Sequence, residues 1–340
     1  MKGKKTLIFR ADGNSETGLG HLYRLFALVE MLKHNFNFEF VTQQDSNTEV
    51  IPESYSVHKI PQAISLEEEP KWLFKIYNPE SHVLIIDGYQ FVSSYQKTLK
   101  EIGFQFLYVD DLMTYHMFAD IVVNHSSAAR SDNFILEPYT KLALGVNYAL
   151  IRPSFLEIAK RNPKFQRIDT AFVCFGGSDK YNLTSKATEA LLKVPSIKNI
   201  HVVIGAANND EHIKSIKNTN SSKVVLHQNL SEKALLNIMK SCNFAIAPTS
   251  TILYELVCVK MPIISGFFVD NQKSVYSWFN KNHCFYGVGN LTKFNFDLVE
   301  SIILKLNQKA FQTDMLANQA RVIDGDQQDR FLNLIQDLMK

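Results

Sequence analysis

Between its first apolar run and its first helical pattern the chain reads Arg10-Ala11-Asp12-Gly13-Asn14-Ser15-Glu16-Thr17-Gly18-Leu19-Gly20-His21, a glycine-bearing loop that ends in an imidazole. Gly18 and Gly20 permit positive φ and let a ligand approach the backbone closely. A helix starting near His21 presents unpaired N–H groups, which favour an anion or a polarised oxygen. A histidine there suits general-base chemistry, because its ordinary pKa of about 6.5 lies close to neutrality. The competing reading is a tight turn whose histidine merely caps the helix, since short glycine motifs match by chance. No GxGxxG is present and no GKS or GKT follows, so neither a dinucleotide fingerprint nor a P-loop is indicated. The position of Asp12, beside the loop and at the end of the first strand, favours a ligand-facing role.

A second group lies in the other half of the chain. Gly176-Gly177-Ser178-Asp179 follows an apolar run and precedes a helical pattern, a strand–glycine–helix arrangement able to take phosphate. Its plain alternative is a βα turn. Pro248-Thr249-Ser250-Thr251 offers hydroxyls to cap the helix that carries Glu255 one turn in. Glu255 either reaches a ligand or merely complements the helix dipole, a contribution of about 0.3–1 kcal/mol. Asp270-Asn271-Gln272 precedes one more helix; Asp270 reads as a cap and Asn271 as a ligand contact. Asp110-Asp111 is an unpromising metal site, because adjacent carboxylates on a strand end point to opposite faces. His125, His201, His212, His227 and His283 share no spacing and read as solvated or satisfied core groups.

Elements that could position these groups alternate along the chain. Strands are expected over 6–9, 37–42, 82–87, 104–110 and 121–124, then over 170–175, 200–204, 223–226, 244–247 and 262–266. Leu22, Leu25, Phe26, Val29 and Leu32 recur at helical spacing after the glycine loop. Further helices are expected over 183–193, 232–240, 252–259 and 271–280. Several strands end in polar residues, at Arg10, Asp87, Asp110 and Asn124, where ligands of open α/β sheets bind. The pattern predicts an α/β chain with two Rossmann-like domains, parallel sheets facing an interdomain cleft: the GT-B architecture. Domain boundaries are expected at 1–147, a linker over 148–167, a second domain over 168–326, and a terminal helix over 327–340 that packs back.

Composition bounds the rest. The chain has 340 residues, 46% apolar and 21% charged, enough for two packed domains. Its 36 basic and 34 acidic residues leave a net charge of +2 with no basic block, which argues against nucleic acid. Neither a secretory apolar core of about 7–15 residues nor a membrane span of about 20 is visible. The four cysteines form no CxxC pair and read as buried thiols. A cytoplasmic monomer without metal or cofactor and without membrane insertion is expected.

The ordered motifs resemble a known family. They are Phe9-Arg10-Ala11-Asp12, Gly18-x-Gly20-His21-x-x-Arg24, Ile85-Ile86-Asp87-x-Tyr89, Asp110-Asp111, and Gly145-x-x-Tyr148-Ala149-Leu150-Ile151-Arg152. After them come Gly176-Gly177-Ser178-Asp179 with Asn182, Ser250 with Glu255, and Asn271-Gln272. Together they resemble the UDP-2,4-diacetamido-2,4,6-trideoxy-β-L-altropyranose hydrolases of pseudaminic acid biosynthesis, relatives of the N-acetylglucosaminyltransferase that completes lipid II. One departure is plain: the family's Asp-His-Tyr reads Asp87-Gly88-Tyr89 here. The resemblance implies hydrolysis at the anomeric carbon with inversion, releasing UDP and the free amino sugar. It implies His21 as the base that activates water, and Tyr89 and Asn271 as further active-site residues orienting sugar or phosphates. Asp12, Gly18, Gly20, Gly176, Gly177, Ser178, Ser250, Thr251, Glu255 and Gln272 would bind the substrate, Glu255 at the ribose hydroxyls. Two other outcomes stay open: a GT-B glycosyltransferase using a UDP-sugar donor, and a nucleotide-sugar-binding partner without turnover.

Overall fold

The computed structural model describes residues 5–14, 18–162, 164–176, 179–205 and 211–340. It divides into two compact units, Met1–Pro153 with Asp326–Lys340, and Ser154–Gly325. Each is a parallel sheet wrapped by helices, and both arise from the same sequence logic. The central strands are predominantly apolar, as a sheet covered on both faces requires.

In unit 1, seven strands take the order β3-β2-β1-β4-β5-β7-β9. They are β1 (Thr6–Ala11), β2 (Phe38–Gln43), β3 (Val57–Ile60), β4 (His82–Asp87), β5 (Gln105–Val109), β7 (Ile121–Asn124) and β9 (Lys141–Leu144). The short strands β6 (His116–Met117) and β8 (Ile135–Leu136) form a separate ribbon. The order reverses direction between β1 and β4, the switch point at which open α/β sheets bind ligands. Register fixes what meets there. Ala11 pairs with Asp87, Asp87 with Val109, and Val109 with Val123, so four strands end nearly level. Helix α1 (Gly20–Leu32) buries Leu22, Leu25, Phe26, Val29 and Leu32, the stripe expected from spacing. Helices α2 (Glu69–Ile76) and α3 (Ser93–Ile102) complete the layers in chain order.

Unit 2 repeats the plan with β10 (Thr170–Cys174), β11 (Asn199–Ile204), β12 (Val224–Gln228), β13 (Phe244–Pro248), β14 (Ile263–Phe267) and β15 (Tyr286–Asn290). Their order is β12-β11-β10-β13-β14-β15, with its switch point between β10 and β13. Its helices are α4 (Pro153–Ala159), α5 (Leu183–Leu192), α6 (Glu211–Thr219), α7 (Glu232–Ser241), α8 (Thr251–Val259), α9 (Lys273–Lys281), α10 (Val299–Leu306) and α11 (Lys309–Val322). The segment expected to link the domains is not irregular throughout. It contains α4, which buries Phe155, Leu156, Ile158 and Ala159, while Lys260 Nζ donates to the carbonyls of Ala159 and Arg161 beyond its end. The terminal helix α12 (Gln327–Leu338) packs on unit 1, where Gln328 Nε2 donates to Met31 O at 2.9 Å and Phe331 meets Tyr148 edge-on.

All four cysteines are free and buried. Burial pushes the Cys242 and Cys284 thiols up to about 12. No helix of the described residues is long and apolar enough to cross a membrane.

The least expected core feature is a charge. Arg10 on β1 is fully buried, and its Nε and Nη2 donate to the two oxygens of buried Glu69 at 2.6 and 2.9 Å. Its guanidinium lies 4.9 Å from the Phe91 ring centroid. Glu69 also accepts from Tyr95 OH at 2.7 Å and from Gln43 Nε2 at 3.0 Å. Burial works against the charged arginine, but Glu69 and Asp12 outweigh it and raise its pKa overall. A buried pair of this kind is costly to break from one side, by about 3–5 kcal/mol, because the remaining charge is stranded. Urea titration of Glu69→Ala should therefore show a stability loss of that order, most of it recovered in the double variant Arg10→Leu/Glu69→Ala. A single variant within about 1 kcal/mol of the parent would contradict this account.

Candidate active site

The loop after β1 is pinned from below. Gly18 takes φ +76°, and its N–H donates to Asn14 O at 3.0 Å. Asn47 N–H donates to Gly13 O at 2.8 Å. Gly20 needs no positive φ; it is the first residue of α1, and a Cβ there would meet no atom within 4 Å. Asp12 has a structural task besides the expected ligand role. Its carboxylate already receives Arg10 Nη1 at 2.5 Å, Gln43 N at 2.7 Å, Gln90 Nε2 at 2.8 Å, Thr42 Oγ1 at 3.1 Å and Ser46 Oγ at 3.3 Å. Four of these donors converge on Oδ1 and one reaches Oδ2, so Asp12 ties the loop to β1, β2 and Gln90 chiefly through one oxygen. Burial would raise its pKa, yet Arg10 and these hydrogen bonds keep it below the ordinary value.

His21 follows on the first turn of α1 and is buried, with Nδ1 at 2.7 Å from Asp87 Oδ1. Arg24, one turn on, grips the same carboxylate from Nε to Oδ2 at 2.8 Å and from Nη2 to Oδ1 at 2.6 Å. Its Nη1 pairs with Asp111. Burial disfavours the arginine's charge, but Asp87 and Asp111 more than compensate and raise its pKa. Arg24 Nη2 also lies 2.7 Å from His21 Nδ1, and one nitrogen cannot both accept from Arg24 and donate to Asp87. Arg24 already has charged acceptors, whereas the imidazole has no other acceptor for Nδ1, so Nδ1–H donates to Asp87. Nε2 is then the bare, basic nitrogen. This is the carboxylate–imidazole arrangement that holds a general base in the useful tautomer.

Tyr89 closes one side of the imidazole, its ring edge-on to His21 with centroids 4.5 Å apart, and its hydroxyl lies 3.5 Å from Asp111 Oδ2. Burial and then Asp111 raise its pKa, so the phenol keeps its proton. The two adjacent aspartates divide as expected. Asp110 accepts from Leu112 N at 3.2 Å, Met113 N at 2.9 Å and Asn124 Nδ2 at 3.3 Å, a turn-holding role. Asp111 faces Arg24, which outweighs burial and holds its carboxyl below the ordinary range. At Gly88 a Cβ would sit 2.5 Å from Gln90 Oε1 and 2.8 Å from Phe91 Cε2, so the Gln90 amide fills the space of a side chain there.

The expectations from sequence missed how Asp87 and Arg24 serve His21, since contacts 66 and 63 residues apart leave no local pattern. His125 departs from its expected reading as a solvated or satisfied group: its Nδ1 is buried without a hydrogen-bond partner. The available signal was its place just past the strand-ending Asn124.

In unit 2, Gly177 and Ser178 lie outside the described residues. Gly176 takes φ +85°, and a Cβ there would meet nothing within 4 Å. The α5 terminus differs from a free anion site. Asp179 accepts from Leu183 N at 2.9 Å and Thr184 N at 2.7 Å, so the protein's own carboxylate occupies those amides. Helix α8 is the open one. Ser250 stands at its N-cap but makes no side-chain cap bond, and the N–H groups of Thr251 and Ile252 find no partner among the described residues. Glu255 is buried one turn further along. Burial first, then the charges of Glu255 and Asp179, push the Cys174 thiol up to about 11, which places both carboxylates near the end of β10. Thr249 ties the end of β13 to the turn before α9 by donating to Gln272 O at 3.2 Å. Gln272 spends Oε1 on Phe268 N at 3.1 Å, whereas Asn271 and Thr251 are exposed. The structure thus assembles His21 with Tyr89 in one unit, and Thr251, Glu255, Asn271 and Gln272 around the switch point of the other. Among the described residues no group of three or more His, Cys, Asp or Glu could hold a metal ion.

No protein-family profile matches the chain. The chain is 27% identical over 283 residues to the UDP-2,4-diacetamido-2,4,6-trideoxy-beta-L-altropyranose hydrolase of Campylobacter jejuni, covering 81% of this chain and 96% of that protein. It is 24% identical over 269 residues to the spore coat polysaccharide biosynthesis protein SpsG of Bacillus subtilis, covering 77% of each. It is also 27% identical to an uncharacterized protein of Methanocaldococcus jannaschii over 78% of this chain, and there it spans just 56% of the relative's length. Among solved structures it is similar to Acinetobacter baumannii MurG, with a TM-score of 0.67 at 10% identity, covering 98% of this chain and 99% of that one. It is likewise similar to Anabaena HepE in complex with UDP, with a TM-score of 0.59 at 11% identity over 98% of each chain. Those likenesses show the fold, and it is the GT-B fold. By sequence the chain is a relative of the Campylobacter hydrolase.

Nitrogen-15 NMR of the neutral His21 ring should show the proton on Nδ1 and a bare Nε2. A proton found on Nε2 would disqualify the residue as a base toward water.

Proposed function

We propose that the chain hydrolyses a UDP-activated diacetamido-trideoxy sugar, the kind of compound that the name of its Campylobacter relative carries, and that it does so at the anomeric carbon with inversion. One observation carries the reading: Asp87 fixes Nδ1 of His21 at 2.7 Å and so leaves Nε2 to take a proton. Water deprotonated by Nε2 attacks the anomeric carbon. The bond from that carbon to the phosphate oxygen breaks, and its electron pair leaves with UDP. Asp87 stabilises the imidazolium formed, and a single displacement by water inverts the centre.

Tyr89 edges the imidazole and offers a protonated hydroxyl to orient the sugar. UDP is a good leaving group when its charge is met by amides, and the open amides of Thr251 and Ile252 at the α8 terminus can do this. Glu255 would receive the ribose hydroxyls, and exposed Asn271 the phosphates or sugar. The free sugar would then enter nonulosonic acid synthesis, pseudaminic acid being the member that the resemblance suggests.

The decisive assay incubates the full chain with UDP-2,4-diacetamido-2,4,6-trideoxy-β-L-altropyranose and no acceptor, and measures free UDP. Turnover should fall by roughly 10²–10⁴ in His21→Ala. Asp87→Asn should lose a comparable factor while keeping UDP affinity, because the tautomer is no longer fixed. UDP released solely with an acceptor would make the chain a glycosyltransferase. Binding without any release would make it a non-catalytic partner.

A further inference from the structure

His125 takes no part in the scheme above, yet its surroundings define a task for it. It leaves β7 at the level where β4 and β5 also end, because Asp87 pairs with Val109 and Val109 with Val123. Its ring therefore joins the group of Asp111, Arg24 and Asp87, all of which act on it electrostatically. The residue is half-buried, and Nδ1, on the closed side, has no hydrogen-bond partner.

That orphan bears on the tautomer. Buried N–H groups without an acceptor are rarer than buried acceptors without a donor, so we assign the proton to Nε2. Burial also pulls the imidazole's pKa down, against the attraction of Asp111, and keeps the ring neutral at neutral pH. The result is an uncharged N–H donor at Nε2, the ring nitrogen that, unlike Nδ1, is not buried without a partner. Its immediate charges are two carboxylates, Asp87 and Asp111, against the one guanidinium of Arg24. A phosphate would be repelled from such a place. A neutral acceptor would not, and the strongest that a sugar carries is the carbonyl oxygen of an acylamino group.

We propose that His125 Nε2–H donates to the carbonyl oxygen of an N-acyl substituent on the sugar, and so selects N-acylated sugars over hydroxylated ones. This rests on the UDP-sugar reading and adds to it the residue that recognises the sugar's substituent. His125 is a specificity-determining residue here, separate in task from His21. A sugar with hydroxyl in place of acylamino leaves this donor poorly paired, which is the most effective way for a polar site to reject an analogue.

The test is calorimetric titration of the full chain with UDP, UDP-N-acetylglucosamine and UDP-glucose. The parent should bind the N-acetylated sugar nucleotide more tightly than UDP-glucose. In His125→Ala that ratio should shrink by roughly 3–10-fold, the worth of one neutral hydrogen bond, with UDP affinity unchanged. His125→Gln, which keeps an amide N–H, should retain part of the preference. An unchanged ratio in His125→Ala, or a parent that binds UDP without preferring the N-acetylated sugar, overturns the inference and leaves the nucleotide reading standing. Loss of UDP affinity in both variants would reassign His125 to a structural role and overturn it too. A parent that fails to bind UDP removes the underlying reading, and the inference falls with it.

Discussion

The candidate active site depends on one carboxylate serving two cations-in-waiting. Asp87 lies at the end of a central strand, fully buried, and must satisfy both the imidazole of His21 and the guanidinium of Arg24. These two donors sit 2.7 Å apart on one face of α1, three residues from each other. Two N–H groups do not approach so closely unless an anion bridges them. Remove Asp87 and Nδ1 can give up its proton and accept from Arg24 instead, so the tautomer of His21 is released, and Arg24 keeps just Asp111 as a charged partner. The position of Asp87 is in turn not adjustable, because parallel register sets it beside Ala11, where the glycine loop begins. A slip of one residue would turn its side chain to the other face of the sheet.

Beneath that layer lies another, built around Arg10 and the carboxylate of Asp12. Arg10 and Asp87 stand on adjacent strands one step apart in register, and both are buried. Arg10 needs neutralising, and Glu69 does most of it with two hydrogen bonds. Asp12 adds a third contact and gathers donors from β2, the loop that follows it, and Gln90. The outcome is a rigid base for the glycine loop. A buried network of this type is valuable chiefly when every member is satisfied, and here it is satisfied through residues that touch no substrate in the proposed scheme.

Much of the scaffold was legible in the sequence, and the reasons divide cleanly. Central strands such as β4 and β7 matched their expected bounds because burial on both faces forces an unbroken apolar run. The edge strands β3 and β9 and the half-buried β15 escaped notice, since their residues are mixed and an edge position asks little of them. The glycine loop and its histidine were visible as residue types at a strand end. The pairing of His21 with Asp87 was not, because long-range pairing depends on strand order, which periodicity does not encode. The two helix termini of unit 2 show the same limit. Nothing local distinguishes Asp179, which turns back to cap its own helix, from a residue that leaves the amides open to a ligand.

The two units make the division between fold and site concrete. Both reverse strand order after their first strand, both place a glycine with positive φ after that strand, and both begin a helix shortly beyond it. Identical topology would give identical function if the fold were the determinant, and it does not. At the switch point of unit 1 the sequence supplies Asp87, Arg24, Asp111 and two imidazoles, groups that can move protons and distinguish neutral from charged partners. At that of unit 2 the described residues supply hydroxyls and uncapped amides, groups suited to an oxyanion. In the proposed scheme, proton transfer therefore falls to the unit whose strand ends carry a shared buried carboxylate. In the other unit no described imidazole shares a buried carboxylate with an arginine in this way, and what its described residues offer at the α8 terminus is backbone amides and hydroxyls.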